Sequence, residues 1–224
     1  MKKFLKITGI TIGAILLIAF LIPILFKKQI AELVKKEINQ ALTAKVDFRD
    51  VSLSLFRRFP QVSISLEELS IVGTQQFEKD TLISAKRIDV SANLISVIKA
   101  EDIKVSGIFL KQPRIKALVD ADGLANWDIV KPDGESSSAD TTTSEFQLQL
   151  KKYEIEDGYI YYNDKTSGMV AEIAGLNHSG SGDFTQDVFT LSTKTRADAA
   201  SFSYAAVPYL VNTNTILDAD IEID

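Results

Sequence analysis

The sequence predicts a mainly β protein with an N-terminal transmembrane helix, in which an antiparallel β-meander forms a curved sheet or groove capped by an amphipathic helix. Three observations predict it. Residues 7–26 form an uncharged, mostly apolar run of the length a helix needs to cross a bilayer. Residues 29–44 then repeat apolar side chains with the helical period, and from Lys45 onward the period drops to two.

The opening run, Ile7 to Phe26, has only scattered Thr8, Gly9, Thr11 and Gly13 and so lacks the polar stripe of a core helix. A cleavable leader would have an apolar region of about 7–15 residues ending at a small-residue site. This run ends in Pro-Ile-Leu-Phe-Lys-Lys, which favours an uncleaved anchor. Lysines flank both ends, and a short tail followed by a long acidic domain fits an N-in orientation. Next, Ile30, Leu33, Val34, Ile38, Ala41 and Leu42 share one helix face opposite Glu32, Lys35, Lys36 and Gln40. Packing on a sheet accounts for that face; lying along a membrane surface is the alternative.

Val51, Leu53 and Leu55 alternate with Ser52 and Ser54, and Val62, Ile64 and Leu66 alternate with Ser63 and Ser65. These read as neighbouring strands with one apolar face and one serine face, separated near Pro60. The alternation slips at Arg49-Asp50 and at Glu67-Glu68, which predicts bulges or strand ends there. Residues 73–80 read as a loop and Ile88, Val90 and Ala92 as a strand, with Leu94 to Ile98 forming a helical turn or corner. Ile103, Val105, Ile108 and Leu110 resume the pattern, with a bend permitted at Gly107. Pro113 introduces a further strand, Ile115 to Val119, that ends in the turn Asp120-Ala121-Asp122-Gly123. Residues 131–145 have the composition of a flexible loop. After it the β-period returns and runs to Asp224, an abrupt stop that points to a longer protein. The expected divisions are a tail at 1–6, the anchor at 7–26, the helix at 27–44, β regions at 45–130 and 146–224, and the loop at 131–145.

Charge and chemistry narrow the function. Residues 1–44 carry a net +5, which leaves −10 on residues 45–224. That acidic part argues against a nucleic-acid partner, and the positive charge lies where anionic headgroups would be. Without cysteine there is no disulfide, thiolate nucleophile or Cys-ligated zinc. His178 is the only histidine, so no histidine pair exists to hold a metal, and its setting in Asn-His-Ser-Gly-Ser-Gly reads as an exposed turn. Asp120-Ala121-Asp122-Gly123 does not continue with the ligand spacing of a calcium loop. Asp218, Asp220, Glu222 and Asp224 fall on one strand face, solvated by default. No phosphate-binding glycine loop occurs. These readings point away from an enzyme and imply no cofactor and no metal.

From Ile88 to Ile129 the order of parts is specific: the alternating strand, the cluster Leu94-Ile95-Ser96-Val97-Ile98, then Ile103-Lys104-Val105, Gln112-Pro113-Arg114-Ile115, Asp120-Ala121-Asp122-Gly123 and Asn126-Trp127-Asp128. This progression resembles the N-terminal region of the AsmA family of bacterial envelope proteins, which includes relatives of TamB. The resemblance covers residues 1–130 best and implies an inner-membrane anchor with the bulk of the chain periplasmic. It also implies a lipid-lined β-groove and a role in outer-membrane biogenesis, through phospholipid transport and effects on outer-membrane protein assembly. Membrane phospholipids and outer-membrane assembly proteins are the implied partners. Val51, Leu53, Leu55, Val62, Ile64 and Leu66 are the expected groove floor, with the serine face meeting water, and Ile30, Leu33, Val34 and Ile38 the apolar face of the junction helix. The alternative is an anchored β-sandwich that binds a protein partner and holds no lipid.

Overall fold

The computed structural model describes residues 27–58, 61–93, 104–131, 147–186 and 188–224, together with Thr8. Among these residues a helix leads into nine strands. Helix α1 is Lys27–Ala41; the strands are β1 (Lys45–Asp47), β2 (Asp50–Arg58), β3 (Gln61–Val72), β4 (Thr81–Asn93), β5 (Lys104–Val119), β6 (Gln147–Asp164), β7 (Met169–Ser181), β8 (Phe189–Tyr204) and β9 (Val207–Ile223). All nine belong to one sheet, in the order β1-β3-β4-β5-β6-β7-β8-β9, with β2 also pairing β3.

The expected fold class needs two corrections. Among the described residues no helix is long and apolar enough to cross a membrane. Helix α1 has 15 residues and a charged side, and at 1.5 Å per residue it reaches only about 22 Å. The anchor expected at 7–26 lies, Thr8 apart, outside the described residues. The N-terminal transmembrane helix, and with it the single-pass inner-membrane location, thus has no support from any described helix; the described residues form an open curved sheet with one short helix.

The second correction concerns topology. Strands β5 and β6 pair in parallel, from Lys104↔Gln147 to Val119↔Asp164, so the sheet is not an uninterrupted antiparallel meander. A parallel pair requires a long crossover in place of a hairpin. After the turn at Asp120–Gly123 the chain runs back to the end of α1, where Leu42 bridges Val130 and the Thr43 amide donates to Ile129 O at 2.8 Å. Pro113 does not begin a new strand either: β5 continues through it, past Gln112 at a φ of 49°.

Paired residues share a sheet face, so the register defines two surfaces. On one, Val51, Leu66, Ile88, Leu110, Ile155, His178, Thr195 and Leu217 form a row across β2 to β9. A second row runs Leu53, Ile64, Val90, Ile108, Tyr153, Gly180, Thr193 and Ala219. This apolar face receives α1: Ala31, Val34, Ile38 and Leu42 pack on Val46, Val51, Leu66 and Leu69. Ile129 joins Ala44 and Leu82 in an adjoining cluster.

The slip expected at Glu67-Glu68 is present as Glu68 at a φ of 53°. It belongs to a crease that crosses the sheet, with Gln112, Asp157 (φ 51°) and Gly175 (φ 62°) in the left-handed region on β5, β6 and β7. Gln112 Nε2 donates to Asp157 Oδ2 at 2.9 Å across the parallel pair. Each slip returns the next apolar residue to the face of the previous one, as with Leu66 and Leu69, so one face stays apolar on both sides of the crease.

On β3 and β4 the serine face does not meet water as expected, while Ser52 and Ser54 of β2 are half-buried. Ser63, Ser65 and Ser91 are fully buried and Asp89 nearly so. Ser63 and Ser91 hydroxyls lie 3.1 Å apart, Ser65 bonds Asp89, and Ser106 donates to Ser91 O at 3.2 Å. The Phe109 ring lies over Gly107, where an added Cβ would meet it at 2.8 Å. Small hydroxyls that bond one another across the strands tolerate this burial at little cost. Residues 94–103 and 132–146, with the helical turn and most of the loop expected there, are outside the described residues.

Candidate functional site

The expected groove floor falls under and beside α1. Val51 and Leu66 are in the cluster that α1 covers, Val62 is buried, and Leu53 and Ile64 are half-buried in the second apolar row. The side chain of Leu55 is outside what is described. Of the junction-helix residues, Val34 and Ile38 pack on the sheet, which answers for the amphipathic face without a membrane surface; the side chains of Ile30 and Leu33 are not described.

Beyond α1, the apolar rows continue through Ile88, Val90, Ile108, Leu110 and Ile155, all half-buried. Past them the same face becomes polar. Tyr153 Oη lies 3.0 Å from His178 Nε2, and His178 Nδ1 lies 2.8 Å from Thr195 Oγ1, which ties β6, β7 and β8 together. His178 is thus a strand residue and not an exposed turn: the Gly-Ser run stays in β7, and Tyr153 occupies the space that Gly180 leaves open. Burial holds the His178 imidazole below its ordinary value, so it is neutral near pH 7. The Phe184 and Phe189 rings meet at a tilt with centroids 4.8 Å apart, and Phe184 stands edge-on to Tyr153 at 6.3 Å.

The opposite face carries the charged residues, including Lys111–Glu156 at 2.7 Å and Arg87–Asp89 at 3.3 Å. Here Ser84, Arg114 and Tyr159 align across β4, β5 and β6, and Lys116 aligns with Tyr161. With Thr81 and Ile115 they line a depression of about 580 Å³. The Arg114 guanidinium sits 5.5 Å above the Tyr159 ring, Tyr159 Oη donates to Glu172 at 2.9 Å, and Lys116 pairs with Asp80. Burial, then the Glu172 bond, pushes the Tyr159 phenol up, so it stays protonated. Nothing in the sequence signals this convergence, because Arg114 and Tyr159 meet only through the parallel pairing of β5 and β6.

The turn that carried the resemblance also has a defined structure. Asn126, 2% exposed, accepts from Leu118 N at 2.9 Å and donates to Lys116 O at 2.7 Å, which closes the turn back onto β5. Trp127, 43% exposed, packs on Tyr162 at 6.1 Å and is a corner residue.

No curated protein matches the chain. The model of the AsmA family matches residues 1–219. The match spans the whole described sheet as far as β9, including the Asn126-Trp127 turn and the apolar rows, and the chain belongs to the AsmA family.

Proposed function

We propose that this chain acts without enzymatic chemistry in envelope lipid homeostasis and outer-membrane assembly, and that the apolar face of its sheet binds or conducts phospholipids. AsmA membership supports the envelope role at the level of the family. The observation that carries the lipid reading is the pair of apolar rows from β2 to β6, which continue past the part that α1 covers. A β-sandwich would close these rows under a second sheet, whereas the described strands all belong to one. An apolar surface of that extent is a binding surface by default. Against acid-base catalysis, both ring nitrogens of His178 are engaged, by Tyr153 and Thr195. In this reading outer-membrane assembly proteins are partners of the same chain.

Photo-crosslinking amino acids test the reading in cells. Placed at Leu53 and Ile64 on the apolar face, they are expected to capture phospholipid, and placed at Lys194 on the other face they are not. Absence of lipid adducts at both apolar positions in a folded protein, or equal capture from the two faces, would remove the groove.

A further inference from the structure

We infer that the depression around Arg114 is a binding site for a phosphorylated sugar. It lies on the face opposite the apolar rows, so it stands or falls separately from the lipid reading. Its parts come from three strands that the register brings together: Thr81 and Ser84 from β4, Arg114 and Lys116 from β5, Tyr159 and Tyr161 from β6.

Charge selects the anion. Most cations near the crease are neutralised on this face, Lys111 by Glu156, Arg87 by Asp89 and Lys116 by Asp80. Arg114 is exposed and has no acidic partner among the described residues, and its guanidinium rests on the Tyr159 ring. That cation–π contact holds the guanidinium beside the ring, and with no carboxylate on it its N–H donors are open to an oxyanion such as phosphate, which arginine takes through two parallel bonds. Tyr159 cannot turn away, because its hydroxyl is held by Glu172.

The remaining lining selects the body attached to that anion. Tyr161 is two residues from Tyr159 on the same face of β6 and offers a half-buried ring whose hydroxyl already accepts from Asn163 at 3.2 Å. A flat aromatic surface beside hydroxyls suits a ligand with one apolar ring face and a polar rim. The Thr81 and Ser84 hydroxyls and the Lys116 ammonium supply the partners for that rim. An acyl chain would leave these groups unpaired, and a volume of about 580 Å³ accommodates a sugar phosphate.

Isothermal titration calorimetry and saturation-transfer NMR on the full chain test the site, with glucose 6-phosphate, glucose and inorganic phosphate as probes. Glucose 6-phosphate is expected to bind more tightly than either fragment, with transfer to its ring C–H protons. Arg114→Gln should weaken it by about tenfold or more, the loss of a charge-assisted bond. Arg114→Lys, which keeps the charge but loses the fork, should fall between the two. Tyr161→Ala should abolish transfer to the ring protons while phosphate still competes. Circular dichroism of each variant establishes that the sheet persists. The proposal is overturned if glucose 6-phosphate does not bind, if Arg114→Gln in a folded chain binds it unchanged, or if inorganic phosphate binds as tightly as the sugar phosphate.

Discussion

Asn126 shows how much one side chain contributes at a chain reversal. Its amide satisfies a donor and an acceptor of β5 while itself almost fully buried. Asn126→Ala would leave both backbone groups short of a partner and is expected to cost about 2 kcal/mol, read as a lower urea midpoint with an unchanged slope. The Asn-Trp pair was recognisable in the sequence, but its role was not, because the partners are main-chain atoms. His178 makes a different prediction. Its folded-state value lies below the ordinary 6.5, so on acidification the unfolded chain takes up the proton first. Stability from this group is complete above that pH and declines as the pH falls through it toward the folded-state value. Urea midpoints should hold steady from pH 8 to 7 and drop as the pH falls below the ordinary imidazole value of 6.5, and His178→Gln should flatten that drop. A midpoint that rises on acidification would contradict the neutral buried imidazole. The turn expected around His178 came from reading Gly180 and Ser181 as breakers, whereas glycine is needed in β7 to seat the Tyr153 ring.

At the scale of the element, α1 and the β2–β3 hairpin were legible because period and burial agree: Val34 and Ile38 face Val51 and Leu66 as the helical and alternating patterns require. The crease was half legible. Glu67-Glu68 reveals it on β3, but on β5 Pro113 reads as a strand start, since proline interrupts most central strands and is admitted here beside the left-handed Gln112. The β8–β9 hairpin turns on Ala205 and Ala206, at φ of 47° and 63°. Two positive values are what a two-residue turn matching the strand twist needs, and alanine pays steric strain in both. Replacing Ala205-Ala206 by Asn-Gly is expected to stabilise the chain by roughly 1 kcal/mol, after allowing for the glycine entropy cost, with a measurable rise in Tm. An unchanged or lower Tm would show that the strain is relieved elsewhere.

Across the whole molecule, the decisive feature is the parallel pairing of β5 and β6. It joins the helix-capped strands β1 to β5 to the strands β6 to β9 in one sheet and assembles the Arg114 depression at the seam. Because the chain has no cysteine, paired cysteines report that register without background. Leu110→Cys with Ile155→Cys, directly opposite in the parallel ladder, should form a disulfide under mild oxidation, whereas Leu110→Cys with Tyr161→Cys should not. The reverse result would place β6 in another register. By itself the sequence determined that the chain is mainly β, that a short amphipathic helix precedes the strands, that the strands keep an apolar face, and that its parts follow the AsmA order, because alternation and helical periodicity are local properties of the chain. Only the tertiary structure decided that the strands form one sheet and not a sandwich, that two of them run parallel, that the serine ladder is buried, and that Arg114 meets two tyrosines. Each of these depends on which distant strands become neighbours, and alternation is the same whichever neighbour a strand takes.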